Sequence, residues 1–388
     1  MKNIGLSLSI AILMVSCTNG ENAQATGGAS TEAQPLADIS PVDRKPFETT
    51  EIASFDEPWA MTFLPDGRML VSEKAGKLQL VDAKGQKTEI SGVPKVDYGG
   101  QGGFGDIVLA PDFATSNIVY LSWIEAGDKD TRGAVVGRAK LVLAGQKPAL
   151  KNLKTIWTQN PKVAGRGHFS HRIAFSPDGQ YLFIGSGERQ KFDPAQNMAM
   201  NLGKIIRLYP DGTVPKDNPF VDKEGALPEI WSLGHRNILG LAFDSKGRLW
   251  NQEMGPRDGD ELNLVQRGAN YGYPIVSEGN HYDGKKIPNH DTHPEFEAPK
   301  VAWVPTIAPS GLIFYSGELF PAWKGSAFIG GLASQALIRV SFDGDSAKEA
   351  ERFLMGNRIR EVEQGPDGAI YMLEDGEGGR MLKLTPTN

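Results

Sequence analysis

The feature that most constrains the fold of this sequence is a unit of apolar strand, tight turn and second apolar strand that recurs six times. The turn is Pro-Asp-Gly or a relative of it, which presets the backbone for a chain reversal. Its flanks are rich in Ile, Val, Phe, Leu and Tyr, as is typical of β-hairpins. The six units lie at residues 60–73, 106–123, 172–188, 240–255, 311–332 and 361–376.

Most stretches between the units contain a further strand pair, for example "GKLQLVDAKGQKTEI" after the first unit. Hardly any segment shows the sustained 3.6-residue periodicity of a helix. Four antiparallel strands per unit, repeated six times, predict an all-β chain folded as a six-bladed β-propeller with four-stranded antiparallel blades. A β-sandwich with an additional domain is the alternative.

The N-terminal residues predict export from the cytoplasm. Lys2 precedes a short apolar run and then small or polar residues, so 1–16 has the layout of a signal peptide rather than a membrane span. The "MVSC" ending at Cys17 resembles a bacterial lipoprotein cleavage box; an ordinary signal peptide cut nearby is the alternative. Residues 17–46 have the composition of a flexible tether, which leaves 47–388 for the propeller. We therefore expect a periplasmic protein, with membrane attachment through lipidated Cys17 as one option.

Charge and cysteine content narrow the classes of partner. The formal net charge is −6, and no basic stripe is present that would neutralise a phosphate backbone, so the sequence argues against nucleic-acid binding. Cys17 is the only cysteine, so an exported chain would have no internal disulfide and its core must supply the stability. Small molecules or proteins are the expected partners.

Polar residues lie at both ends of the third unit. In an extended chain His168, Ser170 and Arg172 would share one face and His171 the other, so the two histidines would be a poor chelating pair. We expect His168 to project into a pocket as a base, with Glu188 at the far end of the hairpin as the carboxylate that orients it. A purely structural loop histidine is the alternative.

The fourth unit has a similar entry. His235, Arg236 and Asn237 stand immediately before it, in the place that His168 holds before the third unit. Equivalent positions in successive blades face one common end of a propeller, so we expect these residues to lie near His168.

An acidic turn, "EMGPRDGDELN", ends the fourth unit. Its crowded oxygen donors are of the kind that a hard cation such as calcium prefers, although the spacing is not that of an EF-hand. A solvated acidic turn is the alternative. The donors are Glu253, Asp258, Asp260, Glu261 and Asn263.

A glycine-rich loop, "GGQGGFG", has Gly-x-Gly-x-x-Gly spacing at Gly100, Gly102 and Gly105. It leads into a predicted strand, whereas a dinucleotide site needs a helix N-terminus, so the loop argues against nicotinamide binding. Gln101, between glycines, suits a backbone that approaches a ligand closely; a plain flexible loop is the alternative.

Two arginines enter the sixth unit in "NRIREV". Arg358 and Arg360 are two residues apart, so their guanidinium groups point to the same side of an extended chain. Such a pair can clamp a carboxylate or a phosphate by bidentate hydrogen bonds. An exposed pair on a strand edge is the alternative.

Taken in order, nine segments of the chain resemble the soluble pyrroloquinoline-quinone (PQQ) sugar dehydrogenases, the glucose/sorbosone dehydrogenase family that includes the bacterial aldose sugar dehydrogenases. The resemblance begins near Pro58 and implies a six-bladed propeller. The segments are "GQGG" with "DIVLAPDF", "GHFSHR" with "SPDG", "NLGKIIRL", "DGTVPKDNPF", "LGHRN", "GPRDGDELN", "GANYGYP", "PTIAPSG" and "NRIREV".

The resemblance implies oxidation of an aldose at C1 to the lactone, with PQQ and Ca²⁺ as cofactors and a quinone or cytochrome as electron acceptor. His168 would be the general base, supported by Glu188, and Arg236 would act beside it. The other residues implied for the sugar and PQQ site are Gln101, Asn237, Asp260, Thr306, Arg358 and Arg360. The backbone carbonyls of Gly255 and Pro256 would bind the calcium ion.

Three positions depart from the family pattern: Glu188 stands where an aspartate is familiar, Met254 replaces a polar residue, and Ala333 stands where a PQQ-binding lysine is common. Three alternatives remain open. One is a sorbosone-type dehydrogenase acting on sugar aldehydes. A second, of a different class, is a calcium-dependent lactonase on a six-bladed propeller, which has no use for a paired-arginine clamp. The third is a noncatalytic propeller that binds other proteins, in which the polar residues at the strand entries would be incidental.

Overall fold

A computed structural model describes residues 41–42, 44–144 and 147–387. Within them, six four-stranded antiparallel sheets confirm the predicted propeller. Blades 1 to 3 are β2 (Pro58–Phe63), β3 (Met69–Glu73), β4 (Lys77–Val81), β5 (Lys87–Glu89); β6 (Phe104–Leu109), β7 (Ile118–Ala126), β8 (Arg132–Val142), β9 (Ala149–Thr158); and β10 (Ser170–Phe175), β11 (Leu182–Ser186), β12 (Lys204–Leu208), β13 (Ile230–Leu233).

The remaining blades follow the same order, except that the sixth takes its outer strand from the N-terminal side of blade 1. That strand, β1 (Phe47–Phe55), pairs along its length with β24 (Gly379–Pro386) and closes the ring. Blades 4 to 6 are β14 (Ile238–Phe243), β15 (Leu249–Glu253), β16 (Asp260–Leu264), β17 (Val301–Trp303); β18 (Pro309–Phe314), β19 (Ala327–Gly331), β20 (Ala336–Asp343), β21 (Ser346–Leu354); and β22 (Ile359–Gln364), β23 (Ile370–Glu374), β24 (Gly379–Pro386), β1 (Phe47–Phe55).

The first strand of each blade is the innermost, and each innermost strand contacts the next around the ring, with β22 returning to β2. This closed ring rules out the sandwich alternative. Apolar side chains fill the space between blades; Trp250 and Trp303, for example, pack with Ile329 between blades 4 and 5. No helix in the described part of the chain is long and apolar enough to cross a membrane.

The axis of the ring is polar. Arg172 on β10 forms ion pairs with Asp106 on β6 and Glu361 on β22, and its guanidinium lies 4.0 Å above the ring of Trp59 on β2. Four innermost strands are thereby joined by one buried arginine. Arg172 therefore belongs to the central axis of the ring.

In five of the six blades the first residue of the innermost strand pairs with the last residue of the second strand, as in Ser170↔Ser186 and Ile238↔Glu253. In blade 2 the first residue of β6, Phe104, pairs with Trp123, three residues before the end of β7. Blade entries and second-strand exits consequently lie together at one end of the ring, which we call the mouth. A register irregularity follows each entry residue in all six innermost strands. Such bulges change the direction of side chains and are frequent next to functional sites.

The predicted signal peptide at 1–16, with Cys17 and residues 18–40 of the predicted tether, lies outside the described residues. Strand β1 begins at Phe47. Cleavage, lipidation and the flexibility of the tether remain predictions.

Candidate active site

His168 and Glu188 form a buried pair at the mouth, at the two ends of the β10–β11 hairpin. The Nδ1 nitrogen of His168 makes a short hydrogen bond to Oε1 of Glu188. The other carboxylate oxygen accepts hydrogen bonds from the backbone N–H groups of Lys191, at 2.5 Å, and Phe192, at 2.7 Å. The predicted orientation of His168 by Glu188 is therefore present in the structure.

The protonation state of this pair follows from burial and hydrogen bonding. Burial lowers the pKa of His168, although the bond to Glu188 works in the opposite direction. Burial alone would raise the pKa of Glu188, but the bond from His168 and the backbone donors outweigh it and lower that pKa. A neutral imidazole beside an ionised carboxylate must place its proton on Nδ1, which leaves the Nε2 lone pair to act as a base.

The backbone around His168 differs from the extended chain expected from the sequence. His168, Ser170 and His171 have φ values of 49°, 60° and 64°, in the left-handed region. The simple alternation of faces is therefore wrong, because it requires extended residues. His171 hydrogen-bonds Ser122 through Nδ1 at 2.7 Å and stacks on Trp59 with centroids 4.9 Å apart, so the two histidines do not converge on one ion.

Gln101 connects this pair to the glycine-rich loop. Its side-chain oxygen accepts a 2.6 Å hydrogen bond from the backbone N–H of His168. The backbone N–H of Gln101 donates to the carbonyl of Arg166 at 2.8 Å. A Cβ at Gly100 would lie 2.6 Å from that carbonyl, and φ there is 59°, so the close approach requires glycine. The loop leads into strand β6, as predicted, and not into a helix.

A cavity of about 260 Å³ opens at the mouth; Phe169 lines it, whereas the predicted catalytic residues His168, Glu188 and Arg236 are not among its lining residues. Gln101, Asn237, Arg358 and Arg360, all predicted site residues, line it. Trp59 and Leu239 are among its apolar residues. The other lining residues are Glu57, Lys74, Gly100, Phe169, Ser170, His171, Met254, Leu332, Asp375 and Gly376.

Arg358 and Arg360 point to the same side, as their spacing predicts, and together hold the carboxylate of Asp375. The Nε atom of Arg358 is 2.8 Å from Oδ2, and that of Arg360 is 2.9 Å from Oδ1. Asp375 was missed from the sequence. A signal was present, because Ile359 pairs with Glu374 across the β22–β23 hairpin and so places Asp375 beside Arg358.

Arg236 and Asn237 lie beside the cavity at the entry to β14. The backbone N–H of Arg236 donates to Glu253 at 2.5 Å, and its side chain donates to the carbonyl of Met254 at 2.9 Å. The buried Nε atom of Arg236 has no partner among the described residues. Its guanidinium lies over the ring of Tyr273, 5.8 Å from the ring centroid.

Asp260 and Thr306 form a separate cluster next to the Gly255–Pro256 turn. Asp260 accepts hydrogen bonds from the backbone of Gly255 at 2.9 Å and of Ile307 and Ala308 at 2.8 Å, and from the hydroxyl of Thr306 at 2.5 Å. Its carboxylate is thus occupied within the protein. Neither Asp260 nor Thr306 lines the cavity, so a direct contact of either with PQQ remains a prediction.

The acidic turn does not form a side-chain metal site. Glu253 bonds to His235 at 2.9 Å, and Asp260 is occupied as described above. Within residues 41–42, 44–144 and 147–387 no group of three or more His, Cys, Asp or Glu side chains is arranged to hold a metal ion. The crowding in sequence is misleading because these side chains separate into two hydrogen-bonded sets. Asn263 donates to both Glu253 and Glu261 at 3.2 Å. Asp258 and Asp260 instead accept from backbone N–H groups of the loop after β17.

Comparison with known proteins identifies the group to which this arrangement belongs. The model of the glucose/sorbosone dehydrogenase family matches residues 55–383. The aldose sugar dehydrogenase YliI of Escherichia coli is 42% identical over 340 residues, which cover 86% of this chain and 91% of that protein. The chain belongs to the glucose/sorbosone dehydrogenase family.

Solved structures in the same family agree with the fold. The soluble aldose sugar dehydrogenase of E. coli in its apo form has a TM-score of 0.82 at 40% identity, covering 88% of this chain and all of that one. The PQQ-bound aldose sugar dehydrogenase of Streptomyces coelicolor has a TM-score of 0.71 at 30% identity, covering 89% and 99%. This glucose/sorbosone dehydrogenase family member is accordingly an oxidoreductase.

Two departures from the family pattern have different settings in this family member. Met254 lines the cavity, and its sulfur lies 3.9 Å from the amide nitrogen of Asn237. Ala333 is exposed, outside the lining of the cavity, and its backbone N–H donates to Ile307 at 3.0 Å. The short side chain of Ala333 leaves the cavity without a cation from this loop.

Proposed function

We propose that this protein oxidises aldose sugars at C1 to lactones, using PQQ and calcium. One observation carries the proposal: Gln101 joins the His168–Glu188 pair directly to a cavity that also contains Arg358 and Arg360. A base and an anion clamp therefore share one mouth, although they come from blades 3 and 6. The PQQ-bound relative from S. coelicolor supports the choice of cofactor.

The cavity residues fit a planar aromatic carboxylate such as PQQ. Arg358 and Arg360 offer guanidinium groups in a geometry that already holds the carboxylate of Asp375. Trp59, Phe169 and Leu239 supply apolar surface in the lining of the cavity. When bound, PQQ would supply the hydride acceptor and calcium would supply Lewis acidity.

The residues at the Gly255–Pro256 turn fit a calcium ion. Both residues are buried, and no described group donates a hydrogen bond to either backbone carbonyl. Buried carbonyls normally have a donor, and carbonyl oxygens are ligands that calcium accepts readily. Asp260 holds this turn through a hydrogen bond from the N–H of Gly255.

His168 performs the proton step in this proposal. Its Nε2 atom takes the proton from the anomeric hydroxyl of the sugar, while Glu188 holds the ring through Nδ1 and stabilises the imidazolium. The buried, partnerless Nε of Arg236 provides a donor for an oxygen of the sugar or the cofactor. The proposal extends to export to the periplasm, attachment through lipidated Cys17, and transfer of the electrons to a quinone or cytochrome.

Reconstitution tests the proposed function. Purified apo-protein incubated with PQQ and Ca²⁺ should reduce an artificial electron-accepting dye when an aldose is added. The activity should require both additions, and a chelator present before PQQ should prevent it. A panel of aldoses, sorbosone and sugar lactones separates the alternatives: preference for sorbosone favours the aldehyde dehydrogenase, and metal-dependent lactone hydrolysis without dye reduction would refute the redox proposal.

A further inference from the structure

Lys74 lines the same cavity but has no part in the site described so far. It immediately follows β3, at the mouth end of blade 1, next to the sixth blade that carries the arginine pair. Its backbone is fixed: the N–H donates to the carbonyl of Glu57 at 3.0 Å, and the carbonyl accepts from Phe104 at 2.8 Å. The backbone of Lys74 is therefore held between the entries to blades 1 and 2.

The ammonium group of Lys74 retains donor capacity. Its Nζ atom is 3.0 Å from Oε1 of Glu57 and 3.3 Å from the carbonyl of Gly100. An ammonium has three N–H groups, so one has no acceptor among the described residues. The other oxygen of Glu57 accepts a short bond from the hydroxyl of Tyr98, so Glu57 is held in place independently of Lys74.

The charge balance of the cavity depends on this lysine. The lining contains three cationic side chains, Lys74, Arg358 and Arg360, and two carboxylates, Glu57 and Asp375. His171 adds no charge, because burial lowers its pKa to about 3. Without Lys74 the lining would be formally neutral, whereas PQQ carries three carboxylates.

We propose that Lys74 binds a carboxylate of PQQ as a third cation beside Arg358 and Arg360. This inference rests on the proposed function, because it assigns a residue to the same cofactor. It also bears on the alanine at position 333, where the family pattern has a lysine. In this protein Lys74 of blade 1 would supply the cation that the loop after β19 lacks.

Equilibrium binding of PQQ to the apo-protein in the presence of Ca²⁺ tests the assignment without measuring turnover. Quenching of tryptophan fluorescence is a suitable readout, since Trp59 lines the cavity. We expect Lys74→Met to raise the Kd for PQQ about tenfold and to reduce its dependence on salt, because one charge-assisted contact is lost. Lys74→Arg should retain most of the affinity. Lys77→Met, at the exposed first residue of β4, is the matched control and should bind like the wild type.

Glu57→Gln separates a contact from simple neutralisation. If Lys74 binds the cofactor, Glu57→Gln should tighten PQQ binding, and the double variant with Lys74→Met should still bind more weakly than the wild type. If Lys74 only neutralises Glu57, the double variant will recover wild-type affinity, which would overturn the inference. Thermal unfolding of each apo variant checks that the fold is intact.

Two outcomes distinguish this inference from the proposed function. Wild-type protein that binds PQQ while Lys74→Met binds it equally well would overturn only the role of Lys74. Wild-type protein that does not bind PQQ in the presence of Ca²⁺ would overturn both.

Discussion

Blades 3 and 4 each carry a histidine hydrogen-bonded to a glutamate at the mouth, and the two pairs differ in what contacts the second ring nitrogen of the histidine. In both, the Nδ1 nitrogen meets a carboxylate: His168 bonds Glu188, and His235 bonds Glu253 at 2.9 Å. The Nε2 atom of His235 also has a partner, the hydroxyl of Ser232 at 2.9 Å. No described group bonds Nε2 of His168.

The two histidines also differ in their exposure to solvent. His235 is fully buried at 0% exposure and stacks on Tyr271, whereas His168 retains 7% at the mouth. The sequence places both histidines correctly at blade entries, but the entry position alone does not decide the role. The second ring nitrogen decides it, since only a lone pair that the protein leaves unoccupied can accept a proton from a substrate.

The largest effect on rate should come from His168. We expect His168→Asn to lower kcat of the PQQ-loaded enzyme by about 10³-fold or more, because the asparagine side chain has no basic nitrogen. PQQ affinity should change much less, and the far-UV spectrum should match that of the wild type. Steady-state dye reduction checks the rate. A variant that retains more than a tenth of the wild-type kcat would exclude His168 as the base.

A smaller loss is expected at Glu188. Both of its oxygens accept hydrogen bonds, and the amide of Glu188→Gln has only one acceptor oxygen. Orientation of the imidazole should therefore suffer, and kcat/KM should fall about a hundredfold.

The base works when neutral, so the kcat/KM of the wild type should decline in acid. The decline should begin below the ordinary histidine pKa of about 6.5, because burial lowers the pKa of His168.

The pH profile distinguishes orientation from a general structural loss. The bond to Glu188 raises the pKa of His168, so its removal in Glu188→Gln should move the acid limb of kcat/KM to still lower pH. Asp193→Asn, in the same loop, serves as the control. An acid limb that stays in place or moves upward would contradict the assignment.

The smallest effect on rate should come from His235, where the change should appear in stability instead. His235→Ala leaves the buried carboxylate of Glu253 without its imidazole hydrogen-bond partner, which we expect to lower the free energy of unfolding by about 3 kcal/mol. Below the unfolding transition, kcat should stay within about threefold of the wild type. Urea unfolding and dye reduction measure the two quantities, with His293→Ala as the more exposed control. A loss of rate comparable to that of His168→Asn would remove the distinction between the two pairs.

Much of the site could be predicted because a hairpin brings its two ends together. The sequence shows six hairpins, and pairing of the first residue of one strand with the last of the next explains His168 with Glu188. The same rule, applied throughout, would have found Glu57 with Lys74 and Arg358 with Asp375. These contacts are local within a blade and therefore visible as spacing.

Other features could not be predicted from local spacing. The left-handed φ values at His168 and His171 occur where these residues contact blade 2, through Gln101 and Ser122. The acidic turn indicated a cluster of ligands, but the carboxylate of Asp260 turns toward the loop after β17, which is more than forty residues away in sequence. Contacts between blades are set by the closed ring, and a single sequence gives no register between one blade and the next.

The closing of blade 6 by β1 also affects how the domain can be made. Strand β1 precedes all the others in the chain, yet its partner, β24, follows every one of them. During folding, β1 therefore stays an unpaired edge until β24 is available to it. Pairing of such distant segments is entropically costly and slow, so an open ring exposes two unpaired strand edges for as long as closure takes.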